Sequence, residues 1–158
     1  MAASDLRVVP LSPTNLADRP RLFAAGAAVG AWWAHCQCFI WHFQGGMDAW
    51  DARTPADNEA AFESLVADGR AHGLLAYDGD EPVGWCRAGR RSDLLWTLSR
   101  EETPADAARR GVVSCFVVRP EWRGRGIARA LLAACDDHLR ALGCREAEAY
   151  PLADGADA

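Results

Sequence analysis

A chain of 158 residues, half of them apolar, is long enough to bury one core and predicts a single domain over residues 1–158. Its net charge of -5 excludes nonspecific nucleic-acid binding through a broad basic face, and no apolar run approaches the roughly 18 residues that a membrane-crossing helix needs. All 17 basic residues are arginine, so lysine-dependent phosphate loops are excluded too. The N-terminus has no basic segment leading into an apolar run, which gives an expectation of a soluble, cytoplasmic protein without a membrane or nucleic-acid partner. Six cysteines (Cys36, Cys38, Cys86, Cys115, Cys135, Cys144) lie in apolar segments without regular spacing. That pattern suits free thiols better than a disulfide framework.

Leu6 to Pro10 predicts a short edge strand, and Ser12-Pro13-Thr14-Asn15 offers cap residues for a helix reaching about Ala28. The aromatic segment AWWAHCQCFIWHF, residues 31–43, is read in part as a strand, with Gly45-Gly46 behind it. Thr54-Pro55-Ala56-Asp57 opens a second helix with Ala60, Ala61, Phe62, Leu65 and Val66 on its apolar face, and Gly69 closes it. Residues 73–89 form a hairpin pattern around Asp78-Gly79. Residues 90–110, which include Glu101, Glu102 and Pro104, read as a surface excursion with a helical turn at 93–98, where variation would disturb the core little. A strand over 111–118, a helix from Gly126 to Leu142 stopped by Gly143, and a strand over 146–152 complete a β-α-β unit. The tail from residue 153 reads as loose.

The chemistry concentrates in SCFVVRPEWRGRGIARALL, residues 114–132. An apolar strand delivers the chain to Arg119-Pro120, and Gly124 and Gly126 permit a sharp turn with no side chain blocking approach to the backbone. The first amides of the following helix have no partners within it and point outward at its positive end, which makes an anion cradle suited to a phosphate or pyrophosphate. Arg123, Arg125 and Arg129 add charge, and a guanidinium fork can hold two phosphate oxygens. The dinucleotide pattern GxGxxG fails, because Gly124 is followed by Arg-Gly-Ile-Ala-Arg.

Arg123-Gly124-Arg125-Gly126-Ile127-Ala128 fits the pattern Gln/Arg-x-x-Gly-x-Gly/Ala of the GNAT-type acyl-CoA N-acyltransferases, which this chain resembles in order of elements over about residues 5–152. The resemblance implies an α+β fold, a mixed and mainly antiparallel sheet flanked by helices. It implies acetyl-CoA (coenzyme A) as cosubstrate, no metal, and an amine acceptor. The amides from Arg123 through Gly124, Arg125, Gly126, Ile127, Ala128 and Arg129 would hold the pyrophosphate. The backbone of Phe116, Val117 and Val118 would bond the pantetheine arm like an added strand. Residues 35–43 also look like a Cys-x-Cys-aromatic segment found in one branch of the family. The family fold usually continues into another helix and two strands after the fifth strand, so the expectation here is a C-terminally truncated version. Its last strand, 146–152, would be an open edge through which the chain forms a homodimer.

The implied reaction is direct attack of an amine on the acyl thioester, an N-acyltransferase activity that needs a base and an acid. The alternative is a noncatalytic acyl-CoA-binding or regulatory module. Where the family commonly places a carboxylate near the fourth strand, this chain has Ser114 and Cys115. Glu148 and Tyr150 alternate onto one face of the fifth strand and are the catalytic candidates. Cys115 has two readings, an acylated nucleophile or a small packing thiol. His35, Cys36, Cys38 and His42 lack zinc-finger spacing and read as packing groups or pocket wall rather than as metal ligands. Trp32, Trp33, Phe39, Trp41, Phe43 and Trp50 line an apolar pocket or fill the core, and Trp85 and Trp96 are core or interface candidates.

Overall fold

The computed structural model describes residues 6–95 and 105–150. Trp96, Glu101, Glu102, Pro104, Leu152, most of the turn expected at 93–98 and the tail lie outside them. The described strands are β1 (Leu6–Pro10), β2 (Leu74–Asp78), β3 (Glu81–Arg90), β4 (Arg110–Val118) and β5 (Glu146–Ala149). They form one sheet in the order β1-β2-β3-β4-β5. The first four run antiparallel and β5 joins β4 in parallel. The described α-helices are α1 (Asp18–Ala27), α2 (Trp33–Cys36), α3 (Met47–Asp51), α4 (Pro55–Ala67) and α5 (Ile127–Ala141).

The sheet is covered on both faces, which is why β2 and β3 are buried almost without interruption rather than at alternate residues. Leu74, Ala76, Val83, Cys86 and Ala88 face α5, which presents Ile127, Leu131, Cys135 and Leu139 at four-residue spacing. Leu75, Tyr77, Trp85 and Val117 point the other way, toward Leu22 and Phe23 of α1 and Phe62 of α4. At Gly84 a Cβ would stand 2.6 Å from Ile127 Cγ2 and 3.2 Å from Leu131 Cδ1, so α5 sits on the sheet at a distance only glycine allows.

The hairpin matches its sequence pattern, with Asp78 paired to Glu81 across Gly79-Asp80. The start of α4 also follows expectation. Thr54 Oγ1 accepts from the Asp57 amide at 3.1 Å while Asp57 Oδ2 accepts from the Thr54 amide at 2.8 Å, a reciprocal cap whose Thr54 side chain contributes about 1 kcal/mol. By contrast, Ser12 to Asn15 do not cap α1. The Ser12 amide donates to Asn15 Oδ1 and Asn15 Nδ2 donates to the Pro10 carbonyl, so these groups close a turn and the helix starts later.

Three expectations need correction. Residues 31–43 contain no strand: they form α2, then Gln37 and Cys38 in the left-handed region (φ 49° and 55°), then a 3-10 turn over Phe39–His42. Trp33 fills the space beside Gly26 and meets Phe23 edge-on at 5.7 Å, whereas the neighbouring Trp32 is exposed. Two adjacent left-handed non-glycine residues cost on the order of 1–2 kcal/mol each. The excursion after β3 is not superficial either, since Arg91, Leu94 and Ala107 are buried. Lastly, β5 ends at Ala149, short of the expected 152.

Gly84→Val should force α5 away from the sheet and lower stability by about 1–3 kcal/mol. Thermal unfolding reads this directly, and an unchanged midpoint would show that α5 is free to shift.

Candidate active site

β4 carries a bulge. Cys115 pairs with Arg87 and Val113 with Ala88, which leaves Ser114 as the extra residue. β5 pairs with β4 only from Arg110 to Val113. From Ser114 to Val118 the strand has β3 on one side and no β5 on the other, so its amides and carbonyls are presented along an opening in the sheet. Phe116 is 42% exposed there, while Val117 turns into the α1/α4 core.

At the far end of that opening lies the glycine turn. Gly124 and Gly126 have φ of 74° and 85°, and a Cβ at either would meet nothing within 4 Å. The local backbone therefore needs glycine for its conformation, and the space in front of it is open. A depression bounded by Val118, Trp122, Gly124, Gly126 and Arg129 has a volume of about 360 Å³; its floor is the first turn of α5, whose amides point out of the helix. Arg119 is committed to ion pairs with Glu81 and Glu121. Arg123, Arg125 and Arg129 are exposed and form no ion pair among the described residues, and Arg125 stacks over Trp122 at 4.6 Å. These residues fit a pyrophosphate: open amides, a helix start and three uncommitted guanidiniums.

Where β5 leaves β4, three side chains meet. Tyr150 Oη donates to Glu148 Oε2 at 2.7 Å, and Arg91 Nη1 donates to the same carboxylate oxygen at 2.6 Å and to Tyr150 Oη. Arg110 Nη1 lies 3.5 Å from Glu148 Oε1, and that oxygen is buried without a hydrogen-bond partner. The alternation argument thus places Glu148 and Tyr150 together, as the structure does, whereas Arg91 went unnoticed. The only signal for it was an arginine pair after a strand, inside a segment that looks like polar surface.

Two further arginines were also missed. Arg19 is fully buried, donates to the Gln37 carbonyl at 2.8 Å, and lies 4.0 Å from the centre of the Phe62 ring. Arg87, on the same face of the sheet, is fully buried and none of its three guanidine nitrogens has a hydrogen-bond partner. Burial pulls its pKa down to about 10, so it remains charged at neutral pH. Burial, then the nearby Arg87 charge, pushes His42 down to about 3, so that imidazole is neutral. His35 stacks edge-on against Trp50 and His42 against Phe62, which separates the two histidines of the 35–42 cluster.

The acetyltransferase (GNAT) family model matches residues 31–157. The chain belongs to that family. It is 33% identical over 132 residues to aminoglycoside N(6')-acetyltransferase type 1 of Stenotrophomonas maltophilia, spanning 83% of this chain and 74% of that protein. Its fold is shared with an aminoglycoside acetyltransferase from an uncultured soil metagenomic sample, HMB0005 (TM-score 0.60, 22% identity, 96% of this chain and 82% of that one). It is shared also with the aminoglycoside N-acetyltransferase AAC(6')-Iy solved with CoA (TM-score 0.57, 17% identity, 93% and 77%). A ribosomal-protein-alanine N-acetyltransferase from Brucella melitensis has a similar score (TM-score 0.56, 17% identity, 95% and 82%). GNAT membership makes the protein an acetyl-CoA-dependent N-acetyltransferase. The similar fits to proteins named for different acceptors mean that the fold leaves the acceptor open.

An unpartnered buried guanidinium is expensive, and an apolar side chain of similar length removes that cost. Arg87→Met should therefore raise stability by about 1–3 kcal/mol, read as a higher unfolding midpoint. A lower midpoint would mean that the guanidinium is compensated in the folded protein.

Proposed function

We propose that the protein transfers an acetyl group from acetyl-CoA to a primary amine of a small molecule or peptide by direct attack, with Glu148 as proton acceptor and Tyr150 as proton donor. The observation that carries this reading is the Arg91-Glu148-Tyr150 cluster at the point where the sheet opens, with one carboxylate oxygen held by two donors and the other buried, without a hydrogen-bond partner and only loosely ion-paired to Arg110. The glycine turn, with Arg123, Arg125 and Arg129, would hold the pyrophosphate. The free edge of β4 at Phe116 to Val118 would carry the pantetheine arm. Acetyl-CoA supplies an activated thioester carbon.

An alkylammonium has no lone pair, so the acceptor attacks as the neutral amine after losing one proton to solvent. The second nitrogen proton becomes acidic only as the new C–N bond forms, so the Glu148 carboxylate takes it late, during or after attack. When the C–S bond breaks, Tyr150 gives its proton to the departing sulfur. Arg91 Nη1 faces the oxygen on which phenolate charge develops. A turn of the Glu148 carboxyl that brings its protonated oxygen to Tyr150 Oη then resets the phenol, with no net change in the pair. Aminoglycosides belong in the first acceptor panel because a relative is named for acetylating them.

Coenzyme A at a hundredfold excess over its dissociation constant should stabilise the wild type by about 2.7 kcal/mol in thermal unfolding. Gly126→Glu should abolish that shift while still folding, and Arg123→Ala or Arg125→Ala should weaken binding by roughly 1–3 kcal/mol. Tight binding by Gly126→Glu would remove the turn from the cosubstrate site.

With an acceptor from the panel, Glu148→Gln and Tyr150→Phe should each lower kcat by about 10²-fold or more and leave coenzyme A protection intact. Wild-type kcat in either variant would exclude that residue from proton transfer.

A further inference from the structure

We propose that Cys38 and Cys115 form a reversible disulfide, a redox-modification site that joins the segment between α2 and the 3-10 turn to β4 beside its bulge. This lies outside the acetyl-transfer chemistry and does not depend on it. Their sulfurs are 3.0 Å apart, closer than non-bonded sulfurs normally approach, and a disulfide needs them at about 2.05 Å. The two thiols come from segments 77 residues apart, so nothing in local chain geometry brings them together.

A second, independent observation concerns how Cys38 is presented. Gln37 and Cys38 are the non-glycine residues with left-handed φ in the described chain, and the turn they make is held from several sides. Arg19 Nη1 donates to the Gln37 carbonyl, Gln37 Nε2 donates to the Ala34 carbonyl at 2.9 Å, and Trp85 Nε1 donates to Cys38 Sγ at 3.1 Å. A strained turn fixed by three hydrogen bonds and delivering a sulfur onto another sulfur is over-determined in the way that functional strain is.

The two thiols have separable roles. Cys115 is half-buried beside the opening in the sheet and is the one an oxidant reaches, while Cys38 is 1% exposed. Burial and the neighbouring Cys115 hold the Cys38 thiol up, against the opposing pull of Arg19, so Cys38 stays protonated until its partner is oxidised. With hydrogen peroxide as oxidant, the Cys115 thiol gives up its proton, its sulfur attacks one peroxide oxygen, the O–O bond breaks, and the departing hydroxide takes up that proton as water, giving the sulfenic acid. Cys38 then attacks that sulfur, loses its proton, and expels the oxygen as a second water. Two thiols and one hydrogen peroxide yield one disulfide and two waters, and a dithiol reverses the step. The other close pair, Cys86 and Cys135 at 3.6 Å, is sealed in the core under α5, where Cys135 also donates to the Leu131 carbonyl.

The test is to treat the full-length protein with hydrogen peroxide, alkylate the remaining thiols, and cleave after arginine. Cleavage puts Cys86, Cys115, Cys135 and Cys144 on separate peptides, with Cys36 and Cys38 together on residues 22–53. The expected result is loss of two of the six alkylatable thiols and a cross-linked peptide joining residues 22–53 to the Cys115 peptide. A higher unfolding midpoint should accompany it, and dithiothreitol should reverse both. Cys36→Ser should behave as wild type, and Cys38→Ser, Cys115→Ser and Cys115→Ala should lose the cross-link. Six free thiols after peroxide, a cross-link through Cys86 or Cys135, or a cross-link persisting in Cys38→Ser would overturn the proposal.

Discussion

The site depends on one constraint on β4: it pairs with β3 from Gly111 to Val118, with Ser114 bulged out, but with β5 only at its first four residues. A strand partnered on both sides has no backbone groups to offer a ligand. The extra residue at Ser114 bends the strand where that second partner is lost, and the Ser114 hydroxyl is itself left buried without a partner. Pairing on the β3 side keeps the exposed stretch rigid, so Phe116 to Val118 stay extended. The same divergence releases the end of β5, so that Tyr150 follows Glu148 around the corner where Arg91 can reach both.

The face of the sheet that carries this cluster also carries the least comfortable groups in the protein. Arg19, Arg87 and Arg91 are all buried there. Arg91 has Glu148, and Arg19 has a carbonyl and an aromatic ring. Arg87 has neither, and a net stability of only about 5–15 kcal/mol leaves little room for such a group unless the two apolar clusters elsewhere are well packed. The α5 face is apolar almost throughout, with Gly84 and small cysteine side chains letting the helix approach closely. Both faces carry an apolar core, but the buried arginines gather on the α1/α4 face, and the helix that starts at the glycine turn draws its hold from the other.

Legibility in the sequence followed the range of the interactions. The hairpin at Gly79-Asp80, the reciprocal cap of Thr54 and Asp57, and the glycine turn before α5 are each decided by residues within four positions of one another, and all were readable. Residues 31–43 were misread because aromatic and sulfur-bearing residues suit a strand as well as a covering segment. What decided the matter was Gly26, whose missing side chain makes room for Trp33. Arg91 was hidden for a similar reason: its partners are 57 and 59 residues away. Alternation pointed to Glu148 and Tyr150 together, but Tyr150 lies beyond the end of β5, so the turn of the chain after Ala149 is what brings the two side chains into contact.

The separation between the two ends of the site restricts what can occupy both. From Val113, beside the end of β5, to Val118, beside the glycine turn, β4 advances five residues, about 16 Å at strand rise. An inorganic phosphate or a compact nucleotide phosphate seated at the amides of α5 would not reach Glu148 and Tyr150. A ligand that uses both ends must carry its phosphate groups at one end and its reactive centre at the other, joined by a slender arm able to lie along the exposed edge of β4. Backbone amides and carbonyls on that edge favour an arm with amides of its own, because only a partner with both donors and acceptors satisfies an extended strand. Coenzyme A thioesters have this construction, which is why the strand edge and the glycine turn fit together in the proposed site.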